Sequence, residues 1–207
     1  MSRAITYYFS LLSPWAYLGH AAFGRLAERH DLAIDYRPVN LMTLFPETGG
    51  LPLPKRHPSR QSYRMVELQR WREVRDVPLV LQPKHWPFDF KLADRTALVA
   101  GRVGPQARAH DYVARAFRAV WVEERDMSDP ALMQGLLAES GFDAASVLEA
   151  ARAPEAEAAY AENYDRALAD GVYGSPSYVL DGEVFWGQDR LELLDSALVS
   201  GRPPYRA

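Results

Sequence analysis

Hydrophobic and polar residues follow different spacings in the three parts of the chain. Near its start, residues 4–9 and 32–39 are short runs rich in β-branched and aromatic residues, as is typical of buried strands. Between these runs, apolar residues recur every three or four positions from Leu18 to Ala27, which predicts a helix. A strand, a helix and a second strand in this order predict a parallel βαβ unit.

The middle part of the chain predicts helices and no strands. Proline and glycine separate successive stretches of helical spacing, as at Gly104-Pro105 and Asp129-Pro130. Two segments without a periodic pattern, 41–58 and 82–91, are expected to be irregular loops, the first because it is rich in proline and glycine. The helices are expected at residues 59–74, 92–103, 106–122, 130–140, 144–152 and 155–169.

Strand-forming residues return at the end of the chain. Residues 177–180 and 183–186 flank Asp181-Gly182, a dipeptide that strongly favours a tight hairpin, and a last helix is expected over 189–199. The strands from both ends of the chain then form one four-stranded mixed sheet. This arrangement is an α/β fold with a large helical insertion.

Length and composition agree with one folded unit that carries an insertion. The chain has 207 residues, of which 48% are hydrophobic and 25% are charged, and these values are typical of globular proteins. We expect residues 1–53 and 170–207 to form the sheet-containing domain, and residues 54–169 to form an inserted all-helical domain.

Charge and residue content narrow the possible functions. The net charge of −3 gives no support for nucleic-acid binding. No apolar stretch approaches the roughly 18 residues of a membrane span, and residues 1–6 lack the pattern of a signal peptide, so we expect a cytoplasmic protein without a membrane partner. The absence of cysteine means that any thiol chemistry must use a thiol brought by a ligand. The five histidines show no metal-ligand spacing, so no metal site is expected.

Ser13 is the first candidate for chemistry. Ser13-Pro14 is a favourable helix start, because serine is a good N-cap and proline fits the first helical position. Ser13 also closely follows the first strand, and ligands of open α/β sheets lie beyond the carboxyl ends of the strands. A hydroxyl group at the positive end of a helix dipole can stabilise an anion. The residue is therefore either a simple helix cap or part of an anion site.

Two segments near the end of the chain are further candidates. Pro176 begins a predicted strand, and a cis bond after Ser175 would turn the Ser175 backbone outward toward a peptide-like ligand. An ordinary turn is the alternative. In the segment 186–189, Asp189 could bind a ligand ammonium group while the N–H groups of Gln188 and Asp189 bind a carboxylate. The alternative is that Asp189 only stabilises the first turn of the last helix.

Basic residues are concentrated in the stretch 55–75, which has seven basic and two acidic side chains. One interpretation is an exposed helix face in contact with solvent. The other is that part of the stretch borders a site for an anionic substrate.

Four motifs resemble those of 2-hydroxychromene-2-carboxylate isomerases and of kappa-class glutathione transferases, which are thioredoxin-like proteins. In chain order they are YFSLLSPWAYL at 8–18, PKHWP at 83–87, GVYGSPS at 171–177 and WGQDRL at 186–191. The resemblance covers almost the whole chain. It implies a thioredoxin-like fold, glutathione as the cofactor and a homodimer.

The resemblance also implies roles for individual residues. Ser13 would hydrogen-bond the glutathione sulfur, and the Ser175 backbone, before a cis Pro176, would pair with the cysteinyl part. The γ-glutamyl end would be held by Trp186, Gly187, Gln188 and Asp189. An aromatic carboxylate substrate would be bound by residues among Lys84, His85, Trp86 and Arg56, with the basic residue that holds its carboxylate left open. Some isomerases carry a substrate-contacting lysine after the second strand, where this chain has Leu44-Phe45.

The implied reaction is a glutathione-dependent cis–trans isomerisation of 2-hydroxychromene-2-carboxylate or a related intermediate of aromatic degradation. Reversible addition of a thiolate would make a conjugated double bond single, and rotation and elimination would then give the other isomer. Two alternatives stay open at this point. One is a kappa-class-like glutathione transferase, and the other is a thiol-binding module without catalytic activity.

Overall fold

The computed structural model describes residues 3–206, and its strands form one four-stranded mixed sheet. The order across the sheet is β2-β1-β3-β4. β1 pairs with β2 in parallel, whereas β3 is antiparallel to both β1 and β4. The mixed sheet predicted from the two chain ends is therefore confirmed. The strands are β1 (Arg3–Phe9), β2 (Leu32–Pro38), β3 (Ser177–Leu180) and β4 (Glu183–Trp186).

A helical block is inserted between β2 and β3, as predicted. The helix α1 (Pro14–Arg29) connects β1 to β2, and α9 (Leu191–Ser200) follows the hairpin after a short 3₁₀ turn at Gln188–Arg190. The inserted helices are α3 (Pro58–Arg75), α4 (Lys91–Val103), α5 (Gln106–Trp121), α6 (Pro130–Glu139), α7 (Ala144–Arg152) and α8 (Pro154–Ala169).

The expectation of an irregular loop over 41–58 was wrong in part. Residues Leu41–Glu47 form the helix α2, and Leu53–Lys55 form a 3₁₀ turn. Asn40 caps α2, because its side-chain oxygen accepts the Met42 N–H at 3.0 Å. Pro46 removes one hydrogen bond from this helix, but the burial of Leu41 and Leu44 offsets the loss.

Both faces of the sheet are covered by apolar side chains. Ile5, Tyr7 and Phe9 of β1 belong to the main core, which continues into α1, α4 and α5. Tyr8 points to the opposite face and packs in a smaller cluster with Val39, Leu44, Val172 and Val179. Since the main core includes residues of both the sheet and the inserted helices, the division into domains at 53/54 and 169/170 stays a prediction.

Within residues 3–206, no helix combines the length and the apolar character needed to cross a membrane.

Candidate functional site

Ser13 lies at the carboxyl end of β1, where a tight turn leads into α1. The Ser13 N–H donates to the Ser10 carbonyl at 2.9 Å and closes this turn. The Ser13 hydroxyl accepts the Ala16 N–H at 3.2 Å, so Ser13 is the N-cap of α1, and it donates to the Ser175 carbonyl at 3.1 Å. The side chain therefore caps the helix and also joins it to the turn before β3.

The turn before β3 is held by contacts from several parts of the chain. The Ser175–Pro176 bond is cis, as predicted. The Ser175 hydroxyl accepts the Ser10 N–H at 3.1 Å, and the Pro176 carbonyl accepts the Gly187 N–H at 2.9 Å. The Ser175 carbonyl, which was expected to face a ligand, already accepts the Ser13 hydroxyl, and this leaves it one lone pair for a second donor.

The segment between β4 and α9 is fixed by α3. Gln188 is only 2% exposed. Its side-chain oxygen accepts from Arg75 Nε, and its carbonyl accepts from Arg75 Nη2, each at 2.6 Å. Gly187 has a φ of +107°, a conformation that favours glycine over any residue with a side chain. Asp189 is half-buried, and its carboxylate lies 3.0 Å from Arg190 Nη1.

α1 approaches this segment so closely that only glycine fits at one position. A Cβ atom added to Gly19 would lie 2.6 Å from Gln188 Cβ. The 186–189 segment is thus held between α1 and the end of α3. The Gln188 side chain is therefore fixed before any ligand binds, whereas Trp186 is about half exposed.

A buried carboxylate supports the turn that carries Ser13. Asp94 of α4 accepts the Leu11 N–H, the Ser10 hydroxyl and the Tyr160 hydroxyl, each at 3.0 Å. Burial raises the pKa of Asp94 to about 7, although the three hydrogen bonds favour its charged form. Asp94 lies 84 positions from Ser10 along the chain, and its hydrogen bonds to Ser10 and Leu11 hold the turn in place.

A cavity of about 1080 Å³, called here the main cavity, opens between these segments and α3. One wall is formed by Ser175 and the segment 186–190. The other wall includes three basic residues of the stretch 55–75. Aromatic side chains complete it. The basic residues are Arg56, Arg60 and Arg64, the aromatic residues are Tyr63 and Trp71, and Glu67 lines the same wall. Trp15 and Tyr173 also line the cavity, and Tyr173 lies beside Trp186. The volume suits a ligand of tripeptide size, and the basic wall suits an anion.

Comparison with known proteins gives the family. A model described as a DsbA-like thioredoxin domain matches residues 4–199. The 2-hydroxychromene-2-carboxylate isomerase of Sphingobium xenophagum is 30% identical over 201 residues, which cover 96% of this chain and 100% of that protein. The chain belongs to this isomerase family, within the DsbA-like thioredoxin proteins.

Two further relatives agree with membership of the isomerase family. A solved structure of 2-hydroxychromene-2-carboxylate isomerase has a TM-score of 0.78 and 28% identity, and the match covers 95% of each chain. Glutathione S-transferase kappa 1 of Caenorhabditis elegans is 25% identical over 210 residues, covering 96% of this chain and 92% of that protein. The resemblance inferred from the four motifs is therefore confirmed.

The substrate-binding candidates of this isomerase-family chain fall in different places. Arg56 lines the main cavity. Trp86 lines a second cavity of about 480 Å³, and its Nε1 donates to the Leu12 carbonyl at 3.1 Å, next to Ser13. Lys84 and His85 line neither cavity: the Lys84 N–H donates to Glu124, and His85 lies 3.9 Å from Asp126.

Leu44 and Phe45, singled out from the sequence as a departure from the family pattern, lie in different surroundings. Phe45 lines the main cavity, whereas Leu44 is fully buried in the smaller cluster around Tyr8. The Arg56 guanidinium carbon lies 5.7 Å from the centre of the Phe45 ring. An aromatic side chain with an arginine above it therefore occupies this part of the cavity.

Sequence reasoning missed three residues that shape the site. Arg64 and Arg75 were noticed only as members of the basic stretch, and Asp94, which falls within the helix predicted at 92–103, was not singled out. Their sequence context resembles that of ordinary surface charges. Burial and long-range hydrogen bonds, which distinguish them, appear only in the structure.

Proposed function

We propose that this protein is a glutathione-dependent isomerase acting on 2-hydroxychromene-2-carboxylate or a related intermediate of aromatic degradation. The observation that carries the proposal is Ser13, a helix N-cap hydroxyl that bonds the turn beside the main cavity. Membership of the isomerase family supports the reaction type. The chain has no cysteine, so a bound thiol must supply the sulfur.

The residues present fit glutathione. The main cavity has room for a tripeptide, and the Ser175 carbonyl keeps a free lone pair for a peptide N–H. Gly187 allows a ligand close to the backbone of the 186–189 segment. Trp186 is about half exposed and stands beside Tyr173, with ring centres 5.5 Å apart, so these two rings form a wall for the γ-glutamyl end.

Ser13 would stabilise the bound sulfur by donating a hydrogen bond from its hydroxyl group. The hydroxyl proton is now donated to the Ser175 carbonyl. Rotation about the Cβ–Oγ bond would direct it to a thiolate instead, and the freed Ser175 carbonyl would accept the cysteinyl N–H of glutathione. The N-terminus of α1 adds a positive partial charge at the same place. Both effects favour the thiolate and lower the pKa of the bound thiol.

Bound glutathione would supply a thiolate that adds reversibly to the conjugated double bond of the substrate and is later eliminated unchanged. The protein's own task is to hold the substrate close to the sulfur in one orientation. Basic side chains on α3 are suited to bind the carboxylate of that substrate. A related transferase would bind glutathione in the same way but release the adduct, and the kappa-class relatives support this second candidate.

The decisive experiment measures how much glutathione is consumed. The protein is mixed with 2-hydroxychromene-2-carboxylate and a tenth of an equivalent of glutathione, and formation of the open trans isomer is followed by absorbance. We expect the reaction to reach equilibrium with no loss of glutathione. S-methylglutathione, which has no free thiol, is expected to give no turnover.

The other outcomes separate the candidates. Stoichiometric loss of glutathione with 1-chloro-2,4-dinitrobenzene, and no isomerisation, would establish the transferase. Tight glutathione binding without turnover of either substrate would establish a non-catalytic binding module.

We further infer, from the family resemblance, a cytoplasmic homodimer. Light scattering on the purified protein tests the dimer, and fractionation of cells that express it tests the location. A monomer over the micromolar range would contradict the first inference.

A further inference from the structure

Arg64 lies where the two cavities meet. Its side chain projects from α3 and lines both the main cavity and the second cavity. Among the described residues that line the second cavity, Arg64 is the one charged side chain. The others are polar uncharged residues (Gln61, Ser62 and Gln82) and apolar residues (Leu53, Met65, Leu81, Pro83 and Trp86).

The Arg64 guanidinium has no acidic partner within residues 3–206. Burial, with a smaller contribution from nearby Arg56, lowers its pKa to about 10. Two other arginines of the same helix are neutralised: Arg70 lies 2.6 Å from Glu67, and Arg75 lies 2.8 Å from Glu192. A partly desolvated charge without a counter-ion is unfavourable, and an anion entering the cavity would relieve this cost.

The second cavity has the volume and the lining residues for an aromatic ring. Trp86 forms one side, and the Arg64 guanidinium carbon lies 5.7 Å from the centre of a Trp86 ring. Met65, Leu81 and Pro83 supply apolar surface around it. Since Trp86 also donates to the Leu12 carbonyl, this cavity adjoins the turn that carries Ser13.

We propose that the second cavity binds the aromatic ring of the acid substrate and that Arg64 binds its carboxylate. The proposal rests on the function proposed above and deepens it. It assigns the carboxylate contact to neither Lys84 nor Arg56, the two basic residues singled out from the sequence. The glycyl carboxylate of glutathione has the same chemistry, so the experiment must distinguish it from the substrate.

The test measures equilibrium binding and needs neither a thiol reaction nor turnover. The probes are trans-cinnamate, its uncharged analogue cinnamamide, and glutathione, each titrated by calorimetry at pH 7.5. The variants are Arg64→Met, which keeps an unbranched apolar side chain of the length of the arginine's aliphatic part, and Arg64→Lys, which keeps the charge. Arg70→Met is the matched control, because Arg70 lies on the same helix but lines neither cavity.

We expect wild-type protein to bind cinnamate about 10- to 100-fold more tightly than cinnamamide. Arg64→Met should remove most of this preference, Arg64→Lys should keep part of it, and Arg70→Met should keep all of it. The glutathione Kd should stay within about twofold in every variant. Unchanged thermal unfolding of Arg64→Met would show that the loss is local.

Three results would overturn the proposal. One is equal cinnamate affinity in wild type and Arg64→Met. Another is a loss of glutathione affinity in Arg64→Met with cinnamate binding unchanged, which would assign the guanidinium to the glycyl carboxylate. The third is no cinnamate binding by the wild-type protein. A failure of the proposed isomerase would be seen separately, as absent turnover in a protein that still binds cinnamate through Arg64.

Discussion

The main cavity has two walls that differ in how their polar groups are satisfied. On the strand-side wall, formed by Ser175 and residues 186–189, the side chains of Ser175, Gln188 and Asp189 already have protein partners, and Ser13 bonds this wall from behind through the Ser175 carbonyl. On the helix wall, the guanidinium groups of Arg56, Arg60 and Arg64 lie more than 4.0 Å from every carboxylate of residues 3–206, and the one acidic residue of this wall, Glu67, is paired with Arg70. The polar side chains of the first wall are therefore paired before a ligand binds, whereas the second wall carries positive charges that an anionic ligand can neutralise.

This difference suggests that the two walls bind different ligands. A wall whose side chains are already fixed loses little conformational entropy when a ligand binds, so it suits a cofactor that must be held in one orientation. A wall with uncompensated positive charge attracts anions and discriminates by charge. Four substitutions test the strand-side half of this comparison, and the Arg64 variants test the other half.

Asp94→Asn should have the largest effect, seen in the pH dependence of stability. Because the folded-state pKa of Asp94 is raised to about 7, the folded protein binds this proton more tightly than the unfolded chain. The wild type should therefore lose stability through this residue as pH rises from about 4 to about 7. The variant lacks this loss, so it should gain about 2 to 4 kcal/mol relative to wild type between pH 4.5 and pH 8. Urea unfolding at both values measures the difference.

An equal stability difference between the two proteins at both pH values would mean that Asp94 titrates normally. Burial would then not disfavour the charged form of the Asp94 carboxylate, which holds the turn that carries Ser13. Comparing the difference between the proteins, rather than either curve alone, removes the contribution of buried histidines such as His20, whose pKa is lowered by burial.

Ser13→Ala separates helix capping from thiolate stabilisation. Loss of the cap should cost about 1 kcal/mol of folding stability. Loss of a hydrogen bond to a charged sulfur is worth about 1.5 to 3 kcal/mol, which means about 10- to 150-fold less thiolate near neutral pH. Ultraviolet absorbance of the glutathione complex against pH measures the thiol pKa. Asp129→Ala is the control, because Asp129 caps another helix that begins with proline.

If both variants lose stability and neither changes the thiol pKa, Ser13 is a cap alone. The strand-side wall would then orient the tripeptide without activating its sulfur.

Arg75→Met tests whether α3 holds the 186–189 segment. The change leaves the buried Gln188 side-chain and backbone oxygens without their donors, and we expect a loss of about 2 kcal/mol of stability. Glutathione affinity should fall about tenfold, because the segment loses its fixed position. Arg72→Met, in the same helical turn, should be nearly neutral. Stability lost without any change in the glutathione Kd would exclude the segment from cofactor binding.

Gly19→Ala should have the smallest effect. The added Cβ would meet Gln188 Cβ at 2.6 Å, so α1 or the 186–189 segment must shift, at a cost of about 1 to 2 kcal/mol. Gly135→Ala is the matched change within α6, where no atom lies within 4 Å of the added Cβ. That control should gain about 0.5 to 1 kcal/mol from helix propensity. The same sign for both changes would contradict the close packing described for Gly19.

Most of the architecture could be predicted from the sequence, because the signals that determine it are local. The Asp181-Gly182 hairpin, the Ser13-Pro14 helix start and the proline and glycine separators lie within a few residues of the features they determine. The helix α2 was missed because the proline and glycine content of the whole segment 41–58 outweighed a cap at Asn40 and two buried leucines. Burial of Leu41 and Leu44 depends on contacts with Tyr8, Val172 and other distant residues, which the local pattern does not contain.

The site residues also fall into two groups, those predicted from local motifs and those identified only from the structure. Ser13, Ser175 and the 186–189 segment were found because they occur in short motifs that resemble a known family. Arg64 and Arg70 were indistinguishable in sequence, since both are arginines of one basic helix. Only the position of Glu67 and the walls of the cavities separate a neutralised surface charge from a buried one. Asp94 was hidden for a related reason, because all three of its donors come from distant parts of the chain.

The hydrogen bond between Ser13 and the Ser175 carbonyl has a consequence for folding. It joins positions 162 residues apart, so the two halves of the proposed thiol site meet only after the inserted helices between them have folded back to the sheet. Contacts of such high sequence separation form late, because the loop between them must close first. Partly folded chains should therefore bind no glutathione. A ligand that recognises the completed site alone adds RT ln(1 + [L]/Kd) to the free energy of unfolding, so glutathione at about 100 times its Kd would stabilise the native protein by about 2.7 kcal/mol.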